Sequence, residues 1–205
     1  MEVALRPVFF PAVLSVALAL ASFGVSSNAF AGPPTDAVKA KQSELFKLLE
    51  KAPDATNQKR IATIFDEMLD YDGLAEASLG TEWKGLKDSE RAEFVSLLKQ
   101  LVQKAYERNL KKIIAYDVSY VSEEAAGDKA WVVKTKAQNK SDAHEEPIDI
   151  DFKLVEKSGK WMVGDIVTEE VSLVSSYRAQ FVKIIKKDGY AALASKMKEK
   201  IAKGD

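Results

Sequence analysis

The chain has 205 residues, with 30 Lys and Arg against 31 Asp and Glu, a formal net charge of −1, one histidine and no cysteine. Disulfide scaffolds, thiol nucleophiles and thiolate zinc sites are excluded, and any Ser-His-Asp triad has to be built around His144. The charge balance lacks the basic excess of a general nucleic-acid binder.

The first segment reads as a removable leader. Arg6 precedes an apolar run from Val8 to Val25, and Ala29-Phe30-Ala31 has the small-x-small form of a secretory cleavage site. Pro11, Ser15, Ser22 and Gly24 weaken that run as a permanent membrane span. Residues 1–31 are expected to be a secretory signal peptide and residues 32–205 one domain, long enough to bury a core without staples. Removing the leader takes away Glu2 and Arg6 and leaves the net charge unchanged.

Helical periodicity follows. Val38, Leu45, Leu48 and Leu49 mark a first amphipathic helix ending before Pro53, and Ile61, Ile64, Phe65 and Met68 mark a second over 56–69. Tyr71-Asp72-Gly73 breaks the pattern, and a short helix through Leu74, Ala77 and Ser78 stops at Gly80. A long helix is capped by Asp88 or Ser89 with Glu90 in its first turn. Phe94, Leu97, Leu98, Leu101, Val102, Ala105, Tyr106 and Leu110 share one face of it. At some twenty-five residues it should form one wall of the core.

From Ile113 to Val167 the period becomes two. Tyr116, Val118 and Tyr120 alternate with Asp117 and Ser119; Trp131, Val133, Thr135 and Ala137 alternate with Lys134, Lys136 and Gln138; Ile148, Ile150, Phe152 and Leu154 alternate with Asp149, Asp151 and Lys153. Such alternation predicts a sheet with one covered and one wet face. Turns at Ala126-Gly127-Asp128 and Ser158-Gly159 and a loop over 139–147 predict a four-stranded, mainly antiparallel meander. Pairing of the second and third strands sets Lys134 and Lys136 on the same side as Asp149 and Asp151. Two helices close the chain, the first capped by Ser172 and carrying Leu173, Val174, Tyr177, Phe181, Ile184 and Ile185. Asp188-Gly189 turns into the second, with Tyr190, Leu193, Ala194, Met197 and Ile201. The architecture is α+β, a curved sheet covered on one face by amphipathic helices.

Chemistry-bearing patterns are scarce. The chain contains no phosphate-cradling glycine motif, no G-x-S-x-G and no H-E-x-x-H. His144 lies in a polar loop and reads as solvated, and Asp142, Glu145, Glu146 and Asp149 lack the spacing of a calcium loop and read as an acidic edge. Asn139-Lys140-Ser141 matches the glycosylation sequon, a pattern short enough for chance. Seven lysines against Asp188 and Glu199 between Lys183 and Lys203 read first as a solvated face, with docking on anionic lipid headgroups or an acidic partner surface as the functional alternative. No catalytic residue, metal ligand or cofactor site is assigned.

Large apolar side chains are plentiful at inward positions: Leu79, Trp83, Phe94, Tyr106, Tyr120, Trp131, Phe152, Trp161, Tyr177 and Phe181. By pattern alone they form either a solid core or the lining of an apolar cavity. Three segments resemble the MlaC-type family of periplasmic phospholipid-binding proteins, also called toluene-tolerance auxiliary proteins. They are Phe65-Asp66 through Tyr71-Asp72 to Leu79-Gly80-x-x-Trp83; Phe94 through Tyr106-x-x-x-Leu110; and Trp161-x-Val163-x-Asp165 with Val171-Ser172-Leu173-Val174 and Tyr177-Arg178-x-Gln180-Phe181. Many members carry glycine where this chain has Glu170, so an ordinary backbone angle is expected there.

The resemblance implies an NTF2-like cone whose apolar cavity encloses acyl tails, and a carrier moving phospholipid between an outer-membrane lipoprotein complex and an inner-membrane ABC transporter. From strand parity and helix face, the lining residues are Leu79, Trp83, Phe94, Leu98, Tyr106, Val118, Tyr120, Val133, Ile150, Phe152, Val174, Tyr177 and Phe181. Arg178 either organises the mouth near the phosphate or pairs with a carboxylate such as Asp165. The rival readings are an NTF2-like enzyme using Tyr116, Tyr120 and Asp117, and a ligand-free interaction protein with a solid core.

Overall fold

The structure, a computed structural model, describes residues 33–51 and 54–204, and of residues 106–111 and 113 the backbone alone. The expected leader lies outside the described residues. Helices α1 (Pro33–Leu49), α2 (Ala55–Met68) and α3 (Tyr71–Leu79), a 3-10 segment (Gly80–Gly85) and helix α4 (Asp88–Ile113) lead into strands β1 (Tyr116–Gly127), β2 (Ala130–Asn139), β3 (Ile148–Lys157), β4 (Lys160–Thr168) and β5 (Val171–Ser172). Helix α5 (Leu173–Lys203) closes the chain. The sheet is a fully antiparallel meander in the order β1-β2-β3-β4-β5. It has five strands rather than the expected four, because the two residues before α5 pair with the end of β4.

Register follows the alternation. Lys136 lies opposite Asp149 and Lys134 opposite Asp151 on the outer face, and Lys136 closes an ion pair with Asp149 at 2.7 Å. The apolar partners Val133–Phe152 and Trp131–Leu154 fall on the inner face. Of three register shifts in the ladders, one lies beside the β1–β2 turn and the other two re-aim side chains, as an extra residue in a ladder does. Val121 is the extra residue in β1, 41% exposed, and beyond it Glu123 sits opposite Val133 on the inner face. There its carboxylate accepts from the Thr35 N–H at 3.1 Å and hydroxyl at 2.6 Å, anchoring the first turn of α1. Gly164 is the extra residue in β4, so Asp165 lies opposite Lys153 instead of following Val163 inward.

The helix boundaries have local causes. Asp54 caps α2 by accepting from the Asn57 N–H at 2.7 Å. The break after α2 falls at Leu69-Asp70, not at the expected Tyr71-Asp72-Gly73: Asp70 is the N-cap of α3 and accepts from the Gly73 N–H at 3.0 Å. A Cβ on Gly73 would lie 2.2 Å from the Asp70 carboxylate, so glycine is required inside the helix. Asp70 is buried and pairs with Lys157 at 2.6 Å, while its N–H donates to the Val163 carbonyl at 3.0 Å, seating the α2–α3 junction on β4. Helix α4 starts at Asp88, with the Glu90 carboxylate accepting from the Lys87 N–H at 2.8 Å; the expected Asp88 and Ser89 caps lie inside the helix. Ser172 caps α5 as expected, accepting from the Ser175 N–H at 3.0 Å. The two closing helices run as one element broken at Gly189 (φ 78°, ψ 172°).

The segment beyond Gly189 is clamped to α4. The Tyr190 hydroxyl donates to the Glu90 carbonyl or the Glu93 carboxylate at 2.9 and 3.1 Å, and Lys198 bonds Glu93 at 2.6 Å. These donors, Lys198 above all, hold the Glu93 carboxyl below the usual carboxylate range. Its contribution to stability is therefore present above the ordinary carboxylate pKa and is lost as pH falls through the lowered folded value. In urea titrations, Glu93→Gln should be less stable than the parent at about pH 7, with the difference narrowing as the pH is lowered below the ordinary carboxylate range.

Glu169 and Glu170 both adopt left-handed backbone angles (φ 47° and 64°), so the expectation of an ordinary angle at Glu170 is corrected. The tight return from β4 to β5 demands positive φ whichever residue stands there. Because a side chain is disfavoured in that region and glycine is not, Glu170→Gly should stabilise the protein by about 0.5–1 kcal/mol in chemical denaturation.

Candidate functional site: the open end of the sheet

The inner face consists of rows of side chains crossing the strands. Near the β3–β4 turn the row Trp131, Leu154 and Val163 is followed by Val133, Phe152 and Ile166; Val133, Leu154, Val163 and Phe152 are buried, and Trp131 and Ile166 half-buried. Toward the other end the cover thins. Tyr120, Thr135, Ile150, Thr168 and Val171 form one row, and Val118, Ala137 and Ile148 the next. In these rows the small or polar residues Thr135, Ala137 and Thr168 are buried, whereas Tyr120, Ile150, Val118 and Ile148 are half-buried and Val171 is 51% exposed. Thr135 is satisfied by the Ile150 carbonyl at 2.7 Å. Apolar surface therefore increases toward the β2–β3 loop and the Glu169-Glu170 turn, in place of the usual exclusion of such residues from water.

The thirteen candidate lining residues separate into groups. Leu79, Phe94, Leu98 and Phe181 are fully buried between α3, α4 and α5. Phe181 stacks on Tyr177 (5.1 Å between centroids) and meets Phe94 edge-on at 5.5 Å, and Phe94 meets Trp83 at 6.4 Å. Each such pair is worth about 0.5–1.5 kcal/mol beyond its burial, so this cluster fixes the helices to one another. Arg91 covers it, its guanidinium 5.7 Å from the Trp83 ring and donating to the Trp83 carbonyl at 3.1 Å. Val174 is buried in the first turn of α5, and Val133 and Phe152 line the covered part of the sheet. Val118, Tyr120 and Ile150 stand at the open end. The side chain of Tyr106 lies outside those described. Strand parity did not single out Ile148 and Val171, whose exposure depends on where the helices stop.

Two tyrosines are held neutral. Burial pushes the Tyr120 and Tyr177 hydroxyls up to about 12. The Tyr120 hydroxyl bonds the Gln42 amide oxygen of α1, and Lys39 lies 5.8 Å from its ring. Asp117, grouped with Tyr116 and Tyr120 in the enzyme reading, is exposed on the opposite face and pairs with Lys140 at 3.5 Å, so Tyr120 and Asp117 form no acid–base pair.

Arg178 and Asp165 do not meet. The Arg178 Nε donates to the Ala77 carbonyl at 2.8 Å, satisfying the C-terminal end of α3 where the helix dipole favours a cation. Gly80 (φ 56°, ψ −124°) ends α3 directly beneath the Arg178 side chain; a Cβ there would lie 3.6 Å from Nε in a backbone region few other residues adopt. Asp165 is buried at the α5 N-terminus, where it accepts from the Val174 N–H at 3.1 Å and the Ser172 hydroxyl at 2.7 Å and faces Lys153 at 3.4 Å. Its oxygens are engaged there because the bulge at Gly164 turns it toward that helix end. Leu79-Gly80 and Tyr177-Arg178 are thus two halves of one joint, and Asp165 and Ser172 two halves of one cap.

A sheet with its apolar face beneath a layer of helices, the cover thinning toward one end, defines a small α+β domain of the helix-covered antiparallel class. Residues 39–199 match the MlaC protein family, and the chain belongs to that family. A solved structure of a phospholipid-binding protein from Ralstonia solanacearum, in complex with a phospholipid, shares the fold. It is 21% identical, with a TM-score of 0.72 over 84% of this chain and 99% of that one. Among the described residues no helix is long and apolar enough to cross a membrane.

Arg178→Leu should lower stability by about 1 kcal/mol in chemical denaturation, the value of a charge-assisted cap at a helix end. Unchanged stability would show that the bond to the Ala77 carbonyl does not hold α5 to α3.

Proposed function

We propose that this chain is a periplasmic phospholipid carrier: residues 1–31 direct export and are removed, and residues 32–205 hold one lipid with its acyl tails against the inner face of the sheet. The observation that carries this reading is the strip of half-buried Val118, Tyr120, Ile148 and Ile150 with exposed Val171 at one end of the inner face. Its family membership and the phospholipid in the Ralstonia relative support the ligand class.

The energetics define the carrier's task. A diacyl lipid has on the order of 30 methylenes, and exposing each to water costs about 0.8 kcal/mol, so on the order of 24 kcal/mol opposes free diffusion across an aqueous space. Enclosing the tails removes that barrier. Exchange between one apolar environment and another is nearly balanced, so direction comes from the partners, in this reading an inner-membrane ABC transporter and an outer-membrane lipoprotein complex. The chain itself has no nucleotide-binding motif and works by burial, not by bond-making.

Solvent extraction and mass spectrometry of the mildly purified protein should yield about one phospholipid per chain, since a single sheet end offers one site. A lipid-free chain would favour an interaction protein with a solid core. Val118→Glu, which sets a carboxylate on the inner face, should cut bound lipid by more than about tenfold, because an uncompensated charge in an apolar site costs several kcal/mol. Ser119→Glu, one residue on and facing water, should leave it unchanged.

A further inference from the structure

Helix α1 has two polar flanks beside its buried stripe of Pro34, Val38 and Leu45. On the α2 flank charge is matched: Lys41 pairs with Glu67, and Glu44 with Arg60. On the β1 flank it is not. Lys39 is exposed, with its ammonium 5.8 Å from the centroid of the Tyr120 ring, and among the described residues no carboxylate pairs with it, Asp36 one turn earlier included. Gln42 is half-buried and accepts from the Tyr120 hydroxyl through its amide oxygen, which leaves its two N–H donors without an acceptor among the described residues. Side chains three positions apart on a helix stand side by side. An ammonium and an amide therefore present unmatched donors together at Tyr120, where α1 meets the open end of the sheet. The Tyr120 hydroxyl, which burial keeps protonated, adds no negative charge to oppose an anion there.

A phospholipid with its tails along this strip carries one group that needs such donors. Its phosphodiester is a full negative charge beside the glycerol that joins the tails, and setting it against apolar side chains without partners is costly. Arg178, the cation that the sequence sets nearest a phosphate, is bonded at the end of α3 instead. The other edge of the sheet is less suited to an anion, because β5 follows the Glu169-Glu170 turn, whose carboxylates repel a phosphate. We infer that Lys39 and Gln42, positioned by Tyr120, form a subsite for the lipid phosphodiester at the α1–β1 border, with the tails running from Tyr120 past Ile150 toward Val171. The inference rests on the carrier reading and adds to it the residues that tell a phospholipid from an uncharged lipid with the same tails.

Competitive loading tests it. The parent, Lys39→Gln, Lys39→Arg and, as a control at an exposed lysine further along the same helix, Lys47→Gln are incubated with detergent micelles holding equal amounts of phosphatidylglycerol and the diacylglycerol of the same chains. Bound lipid is then quantified by mass spectrometry. The parent should take phosphatidylglycerol in excess. Lys39→Gln should lose about fivefold or more of that preference, by binding less phosphatidylglycerol while diacylglycerol is unchanged, and the loss should narrow as salt is added. Lys39→Arg, which keeps charge and donors, should retain the preference, and Lys47→Gln should match the parent. An unchanged ratio in Lys39→Gln, or an equal loss of both lipids, overturns the subsite. A parent that takes both lipids alike also overturns it and leaves the carrier reading standing, whereas a parent that takes neither removes the carrier reading itself. Inorganic phosphate alone is the last probe: if it raises the melting temperature of the parent but not of Lys39→Gln, while the lipid ratio is the same in both, the donors serve free phosphate and the lipid assignment is overturned.

Discussion

An antiparallel sheet with one apolar face needs cover, and every helix of this protein is placed by that need. The cover is uneven. Near the β3–β4 turn, Val133, Leu154 and Val163 lie beneath packed helices, and the α2–α3 junction is bonded to β4 through Asp70. Near the β2–β3 loop the same face continues for two further rows whose large side chains stay partly in water. A sheet built only for stability would end its apolar pattern where its helices end. Here the pattern outruns the described cover, and the excess surface is what the proposed lipid would cover.

The residues that hold the helices in place differ from those facing the open end. The aromatic cluster of Trp83, Phe94, Tyr177 and Phe181 joins the 3-10 segment, α4 and α5, and the Arg178 bond to the end of α3 joins α5 to the other side of the same group. Asp165 and Ser172 fix where α5 begins. The motifs carrying the family resemblance are therefore largely devices of assembly. They hold a rigid helical roof over the sheet, and α1 is tied to β1 by a few polar bonds, Thr35 to Glu123 and Gln42 to Tyr120.

Much of this was legible in the sequence because it is periodic. Alternation through β1, β2 and β3 predicts the strands, their inner face and the register that sets Lys136 opposite Asp149. Helical spacing predicts the helices, and Gly80 and Ser172 their punctuation. What periodicity misreads is single-residue and long-range. The extra residue Gly164 turns Asp165 away from the face that parity assigns it, so a pairing with Arg178 that looks reasonable along the chain is not made. Gly73 reads as a breaker because its reason for being glycine is a carboxylate three residues earlier. Glu170 reads as ordinary because a turn's positive φ is imposed by the two strands it joins. The candidate site was half legible: inward parity brings in Val118, Tyr120 and Ile150, but which inward residues stay under-covered depends on where helices stop, which is a tertiary fact.

The central claim is that acyl tails lie against the open end of the sheet. A phospholipid carrying a photoreactive diazirine in its acyl chain, loaded into the protein and irradiated, reports contact directly when the adducts are mapped by mass spectrometry. Adducts concentrated on β1, β3 and β5 around Val118, Ile148, Ile150 and Val171 are the predicted result. Adducts confined to the outer face of the sheet, around Ser119, Lys136 and Lys153, or to the lysine-bearing surface of α5 beyond Gly189, would contradict it.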